Sequence, residues 1–245
     1  MTNYRMTISY DGTKYNGWQR QGNTKNTIQE KIENVLSLMC ERNIEVFSSG
    51  RTDAGVHALN QTVNFKCHTD KDICEIKEYL NHYLPEDILV KDICIADDRF
   101  HSRLNAKNKT YEYRIAYEKP DVFIRKYVYY TGVKPDVELM RKASLKLIGT
   151  HDFIGFSSLS RSKKSTVRTI NSIDITDSEG VVSIVVNGTG FLYNMVRIIS
   201  GTLYEIGIGK LDIDIIDRVF GENKRQLSGI TLPAKGLRLV EVKFE

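Results

Sequence analysis

Residues 46–65 of the chain read VFSSGRTDAGVHALNQTVNF, with two apolar, strand-like runs around a polar centre that holds Asp53. Asp and Gly suit turns, because Asp can bond its own backbone and Gly tolerates positive φ. A turn does not require Arg51 two residues before the aspartate, however, or His57 four residues after it. Loops on a rigid sheet often carry reactive groups. Asp53 is therefore a candidate for either a turn residue or a catalytic carboxylate.

The chemistry open to Asp53 is limited by what surrounds it in sequence. No second carboxylate lies nearby to form the acid–base pair of a glycosidase, and no G-x-S-x-G element indicates a hydrolase. The chain also lacks H-E-x-x-H, a Walker glycine loop, and G-x-G-x-x-G after a strand. A lone ionised carboxylate beside arginines can still act as a nucleophile or stabilise positive charge at a sugar C1′. Carbon–nitrogen glycosidic chemistry fits this description without a metal, nucleotide or other cofactor.

The composition is that of an ordinary globular protein, with 245 residues, 41% hydrophobic, and a net charge of +4. No apolar run approaches the roughly 18 to 20 residues that a membrane helix needs, and the first residues lack the pattern of a signal peptide. The cysteines form no C-x-x-C pair, so neither a zinc site nor a disulfide framework is expected. We expect a protein of the reducing cytoplasm, with no membrane association. The cysteines are Cys40, Cys67, Cys74 and Cys94.

Two basic blocks interleaved with aromatic residues indicate a nucleic-acid partner. Residues 99–114 hold five Lys/Arg against one acidic residue, and residues 161–168 hold four Lys/Arg and no acid. Either block taken alone is equally consistent with a solvated surface loop. The candidate RNA-binding residues in these blocks are Arg103, Lys107, Lys109, Arg161, Lys163, Lys164 and Arg168.

Hydrophobic periodicity predicts a β-α-β-β-α-β order for the first half of the chain, the ferredoxin-like pattern. Residues 27–30 read TIQE, a capping box that begins the first helix. The predicted strands span residues 4–10, 44–48, 60–67 and 88–96, and the predicted helices span residues 28–41 and 72–83.

The second half of the chain also mixes antiparallel strands with helices. Helices are predicted from Pro135 and Asp136 to about Leu147, where Gly149 stops the helix, over residues 193–206 and near residues 212–220. Strands are predicted at residues 110–117, 122–130, 168–176, 181–188 and 236–244, with DSEG forming a hairpin turn. We therefore expect an α+β protein of two ferredoxin-like-related domains, residues 1–106 and 107–245, with mainly antiparallel sheets flanked by helices and an active-site cleft between them.

Five sequence blocks resemble the TruA family of pseudouridine synthases, which isomerise uridine in tRNA. GRTDAGVHA is similar to the family signature, and YDGTKYNGWQRQ to its N-terminal motif. FHSRLNAKNKTYEYRI resembles the F-H-A-R…Y-x-Y segment, GFLYNMVR the third motif, and KGLRLV the last. The blocks occur in the family order along nearly the whole chain. Departures are Asn60 for the usual Gly, Ser102 for Ala, and Arg238 for Tyr, the last of which puts an aromatic contact there in doubt.

The resemblance implies a role for five residues. Asp53 would be the catalytic aspartate, and Tyr111 would stack on the target uracil. Arg197 would pair with Asp53, because an adjacent cation favours the ionised carboxylate. Arg51 would contact the RNA backbone or help to hold the flipped nucleotide out, and Leu237 would line the uracil pocket. Each has a plain structural alternative: Tyr111 and Leu237 as core, and Arg197 as a solvent-facing helix residue.

The family resemblance further implies that the substrate is tRNA, at the anticodon stem-loop, and that the protein is a homodimer. Two basic blocks in one chain are also few for binding a molecule as large as a tRNA, which favours a homodimer. For His57 we expect a loop-end histidine satisfied by backbone, whereas Trp18 is either a hinge anchor or an RNA contact. There are two rival functions. The first is a non-catalytic RNA-binding protein built on ferredoxin-like units, although this sequence has no RNP1-like run. The second is a metal-dependent nuclease, which would need several carboxylates at one site.

Overall fold

A computed structural model describes residues 1–159 and 165–245. The described chain divides into two compact units. The first comprises Met1–Lys107 together with Arg238–Glu245, and the second comprises Asn108–Leu237. Sequence patterns had placed residues 238–245 with the second half of the chain, whereas these residues group with the first unit.

The first unit has the β-α-β-β-α-β order that the periodicity predicts. The elements are β1 (Thr2–Tyr10), α1 (Ile28–Met39), β2 (Val46–Ser48), β3 (His57–Cys67), α2 (Ile73–Tyr83), β4 (Ile88–Ile95) and β10 (Leu237–Lys243). In the sheet β1 lies between β4 and β3, and β2 pairs with β3, all antiparallel. The last strand of the chain, β10, joins β3 in parallel, with Arg238 opposite His57.

Local sequence signals account for the two helices of this unit. The Thr27 side chain accepts a hydrogen bond from the Glu30 N–H at 3.3 Å, as the TIQE motif predicts. Asp72 and Glu75 form a reciprocal capping box at the start of α2. The apolar faces of both helices are buried, and with the inward residues of β1 and β3 they form a core of which Met6, Ile8, Ile32, Leu36, Phe65, Ile76 and Leu80 are the centre.

The elements of the second unit are β5 (Asn108–Ala116), β6 (Tyr129–Tyr130), α3 (Val137–Leu145), β7 (Gly149–Asp152), β8 (Val167–Ser178), β9 (Val181–Gly188), α4 (Met195–Gly207) and α5 (Ile215–Glu222). Its antiparallel sheet has the order β5-β9-β8-β7, with β6 added to β5 in parallel. The predicted hairpin is present: Glu179 and Gly180 join β8 to β9, both with positive φ (51° and 74°), which suits a tight two-residue turn.

Two local predictions in the second unit are wrong. The strand expected over residues 122–130 is reduced to Tyr129–Tyr130. Gly149 does not directly end a helix: α3 stops at Leu145, and Gly149, with φ of 108°, begins the short strand β7 that the sequence did not predict. The α+β class itself is confirmed. Among the described residues no helix is long and apolar enough to cross a membrane.

Candidate active site

Asp53 lies in the connection between β2 and β3 of the first unit, within a tight turn. Its backbone carbonyl accepts a hydrogen bond from the Val56 N–H at 3.1 Å, and Gly55 adopts a φ of 77°, which favours glycine. The side chain of Asp53 is half-buried, and that of Arg51 is exposed. The turn therefore uses the Asp-Ala-Gly run for its shape, and Asp53 within it stays only partly buried.

The turn is held by the loop that follows β1. The Trp18 N–H donates to the Thr52 carbonyl at 2.9 Å, directly beside Asp53. The Trp18 side chain is only 1% exposed, and its ring lies 6.1 Å from that of Tyr10. Trp18 is therefore a buried anchor of the turn, which decides against the RNA contact.

His57 begins β3 and is 5% exposed. Its Nδ1 accepts a hydrogen bond from the Gly12 N–H at 3.1 Å, and the Oδ1 of Asp11 lies 3.1 Å from the same nitrogen. A backbone N–H therefore bonds one of the two ring nitrogens of this histidine, in line with the expectation for a loop-end residue. His57 thereby ties the loop after β1 to the strand that leaves the Asp53 turn.

Tyr111 and Arg197 belong to the second unit. Tyr111 lies on β5, is 7% exposed, and packs edge-to-face on Phe191 with ring centroids 5.3 Å apart. Arg197 lies in the first turn of α4 and is half-buried. Its Nε donates to the Leu232 carbonyl at 2.6 Å and its Nη1 to Asn194 Oδ1 at 2.7 Å. Arg197 is thus not the solvent-facing residue of the plain alternative.

Leu237 is the first residue of β10 and is 7% exposed. It follows the segment 233–236, where Gly236 lies so close to the Tyr113 ring that an added Cβ would stand 2.7 Å from Cζ. The backbone leading to Leu237 therefore depends on a glycine that lets a tyrosine approach.

Comparison with known proteins identifies the chain. The family described as tRNA pseudouridine synthase matches residues 6–105 and 143–245. The chain belongs to this family. The resemblance carried by GRTDAGVHA is thereby confirmed, and the protein is an enzyme of the pseudouridine synthase type. Asp53, Arg197 and Leu237 fall within the matched segments, whereas Tyr111 lies between them.

Individual tRNA pseudouridine synthases are similar to this chain over its whole length. It is 48% identical over 247 residues to tRNA pseudouridine synthase A of Bacillus sp. (strain KSM-64), with 100% of both chains covered. It is 46% identical over 245 residues to tRNA pseudouridine synthase A 1 of Clostridium tetani (strain Massachusetts / E88), again with 100% of both covered. A chain of a solved Cbf5-Nop10-Gar1 complex shares 10% identity at a TM-score of 0.41, over 97% of this chain and 49% of that one. That last similarity is too low to support a conclusion.

Tyr113 is a residue of this pseudouridine synthase that sequence reasoning missed. It is fully buried, and its hydroxyl donates to the Pro233 carbonyl at 2.6 Å. Burial raises the pKa of Tyr113 far above its usual value, against a smaller lowering by the Arg197 cation, so the hydroxyl remains a donor. Alternation along β5 places Tyr113 on the same face as Tyr111, and this period of two could have identified it.

The buried amides of Asn3 and Asn64 are a second feature that the motifs did not reveal. Asn3 Nδ2 donates to the carbonyls of Asp97 and Phe100 at 2.8 and 3.0 Å, and Asn64 Oδ1 accepts from the Ser102 N–H at 2.9 Å. These bonds fix the segment 97–102 onto the sheet of the first unit. The exposed Arg103 follows this anchored segment directly.

The predicted RNA-binding residues fall into three groups. Arg103 and Lys107 are exposed in the first unit, while Lys109 and Arg168 are half-buried in the second. The Nη1 of Arg168 donates to two backbone carbonyls of its own strand region, at 3.0 and 2.6 Å. The remaining residues, Arg161, Lys163 and Lys164, lie outside the described residues. Within residues 1–159 and 165–245, no group of three or more His, Cys, Asp or Glu side chains could hold a metal ion.

Proposed function

We propose that the protein is a tRNA pseudouridine synthase that converts uridine to pseudouridine in the anticodon stem-loop, with Asp53 as its catalytic carboxylate. The observation that carries the proposal is the full-length match to relatives named for this reaction. The geometry of Asp53 supports its role. It is a half-buried carboxylate on a turn whose backbone is held on both sides by hydrogen bonds.

The reaction must break one bond to C1′ and form another. The target nucleotide leaves its stack so that its glycosidic bond is exposed, and the uracil stacks on Tyr111. Asp53 either attacks C1′ as the C1′–N1 bond breaks, or takes a sugar proton in a glycal route. The detached uracil turns and its C5 bonds to C1′, as the Asp53–C1′ ester bond breaks or, in the glycal route, as C2′ takes its proton back. The C5 proton then passes to a base, and N1 takes up a proton. A mostly apolar pocket retains the uracil and excludes the water that would give hydrolysis.

Three further residues complete the proposal. Arg197 pairs with Asp53 and favours its ionised form, and the hydrogen bonds from its guanidinium to Leu232 and Asn194 fix the orientation of that group. Leu237 supplies an apolar wall for the uracil. Arg51, exposed next to the turn, contacts the RNA backbone or holds the flipped nucleotide out.

The decisive experiment measures tritium release from tRNA transcripts labelled at uridine C5. We expect the protein to release tritium to water without added metal, and Asp53→Asn to abolish the release. Asp70→Asn is the matched control, because Asp70 is an exposed aspartate of the same unit with no assigned role. It should release tritium like the unsubstituted protein.

Two results would contradict the proposal. Tight tRNA binding without release by the unsubstituted protein would favour the non-catalytic RNA-binding protein. Strand scission that requires Mg²⁺ would favour the nuclease. Mapping pseudouridine in the RNA of cells with and without the gene would then identify the modified positions, and we expect them in the anticodon stem-loop.

The assembly and setting of the enzyme are also proposals. We infer a homodimer, since two basic blocks on one chain are few to hold a large polyanion, and a cytoplasmic location, where tRNA is found. The RNA contacts are proposed for Arg103, Lys107, Lys109 and Arg168, together with Arg161, Lys163 and Lys164.

A further inference from the structure

A buried pair of hydroxyl groups includes Thr52, the residue directly before Asp53. Tyr10 is the last residue of β1, Thr52 precedes Asp53, and their hydroxyl oxygens are 2.8 Å apart. Tyr10 is 4% exposed and Thr52 is 6% exposed. Either hydroxyl can donate to the other. At this burial neither group can touch a nucleotide, so the pair must act through the chain to which it is attached.

The backbone next to this pair determines where Asp53 points. The Thr52 carbonyl belongs to the peptide plane that enters Asp53, and it accepts the Trp18 N–H at 2.9 Å. The Asp53 carbonyl belongs to the plane that leaves Asp53, and it accepts the Val56 N–H at 3.1 Å. Because peptide planes are rigid, holding both planes fixes the direction of the Cα–Cβ bond between them.

The segment around Trp18 leaves Thr52 little room to move. Gly17 has a φ of 91°, and an added Cβ would stand 2.8 Å from the Thr52 carbonyl oxygen and 3.1 Å from the Ala54 nitrogen. The two backbones are therefore in direct contact on one side of Thr52. The Thr52 side chain is in turn held by its hydrogen bond with the Tyr10 hydroxyl.

We propose that Tyr10 and Thr52 are positioning residues for the reaction, with their hydroxyl pair holding the entering peptide plane so that Asp53 is aimed at C1′. This inference rests on the proposed catalytic role of Asp53. Removing one hydroxyl breaks the buried bond between Tyr10 and Thr52, which loosens the hold on the entering peptide plane. A misplacement of the reacting group by about 1 Å costs about 100-fold in rate.

The test compares variants that differ only in hydroxyl groups. Tyr10→Phe and Thr52→Val each remove one, and the double variant removes both. We expect each single variant to lower the single-turnover rate of pseudouridine formation by about 10- to 100-fold, with the Kd for tRNA unchanged. The double variant should be no slower than the slower single variant, because the two substitutions remove one shared interaction. Thr52→Ser, which keeps the hydroxyl, should recover most of the rate that Thr52→Val loses.

Two controls separate the possible outcomes. Tyr117→Phe removes another tyrosine hydroxyl bond of 2.9 Å, to Asp177 at the surface of the second unit, and should leave the rate unchanged. Thermal melting of every variant gives a temperature at which all are folded, and rates are measured there. Asp53→Asn is assayed beside them. If it retains activity, the proposed function fails, whatever the hydroxyl variants do.

The inference is overturned if Asp53→Asn is inactive while Tyr10→Phe and Thr52→Val keep the full rate. It is also overturned if their losses multiply in the double variant, if they weaken tRNA binding instead of slowing the chemical step, or if Thr52→Ser is as slow as Thr52→Val. Slow singles with a non-additive double and rescue by serine support it.

Discussion

At the scale of single residues, the side chains of this enzyme are fixed by contacts distant in sequence. Arg197 reaches the carbonyl of Leu232, 35 positions along the chain, and Tyr113 reaches that of Pro233, 120 positions along. Both bonds fall on the segment that leads to Leu237. Arg197 therefore has a structural task in the second unit in addition to its proposed effect on Asp53, and the two can be separated by experiment.

Replacing Arg197 tests that separation. Arg197→Ala should reduce turnover more than tRNA affinity, and Arg197→Lys should be intermediate, because it keeps the charge but cannot keep both directed bonds. The measurements are the single-turnover rate and the Kd for tRNA of each variant. A collapse of tRNA affinity with normal turnover of bound tRNA would instead make Arg197 a backbone contact.

The motifs identified the residues proposed to meet the substrate but not those that hold them. Asp53, Arg51 and Arg197 stand in sequence blocks whose residue types are specific enough to recognise. Thr52 stands in the GRTDAGVHA block and Tyr10 in the YDGTKYNGWQRQ block, yet nothing in their spacing shows that their hydroxyls meet. Such contacts depend on how distant strands pair, and the pairing is not written in local sequence.

At the scale of elements, the loop after β1 supports the Asp53 turn through close backbone contacts. A Cβ added to Gly12 would lie 2.0 Å from the Val56 carbonyl oxygen. Gly12→Ala should therefore force the two backbones apart and destabilise the protein by about 1–3 kcal/mol, with a parallel loss of activity. Gly22→Ala is the matched control, because nothing lies within 4 Å of its added Cβ. Urea unfolding of both variants checks the prediction, and equal midpoints would contradict it.

The segment 97–102 makes a second prediction at this scale. Asn3→Ala removes the buried amide that donates two partly buried hydrogen bonds, to the carbonyls of Asp97 and Phe100, and should cost about 1–3 kcal/mol. It should also weaken tRNA binding, because Arg103 follows the released segment. Asn43→Ala, at an exposed asparagine, should change stability by less than about 0.5 kcal/mol. Stability is measured by urea unfolding and binding by titration with tRNA. Normal stability in Asn3→Ala would show that the amide does not anchor the segment.

Element prediction succeeded where apolar periodicity was strong and failed where it was not. Helices α1 and α2 and the β8–β9 hairpin follow directly from capping, spacing and turn residues. Strand β7 has the sequence GTHD, which contains no apolar alternation, and it exists because β8 offers it a partner. Residues 122–130 contain many strand-forming residues, but only Tyr129–Tyr130 find a neighbouring strand, β5.

At the scale of the whole molecule, the chain begins and ends in the same unit. The last strand leaves the second unit after Leu237 and pairs with β3 where that strand leaves the Asp53 turn, Arg238 opposite His57 and Leu239 opposite Ala58. Its pattern predicted a strand but could not name the partner. For this reason the sequence grouped residues 238–245 with their neighbours along the chain.

The number of chains in the active enzyme is the prediction that belongs to this scale. We expect sedimentation of the pure protein at micromolar concentration to give the mass of two chains. We also expect its affinity for tRNA to fall as the salt concentration is raised. The same run in high salt, without RNA, is the control, since it separates a protein dimer from one bridged by nucleic acid. A single-chain mass under both conditions would contradict the proposed homodimer.

The burial of Trp18 has a practical consequence, because it is the only tryptophan among the 245 residues. Its backbone N–H holds the carbonyl that precedes Asp53, and its indole is 1% exposed beside Tyr10. Selective excitation of indole therefore observes the support of the Asp53 turn and nothing else in the protein. A red shift in emission that precedes global unfolding would report the loosening of this one region, so the enzyme carries its own fluorescent probe, with no label to attach.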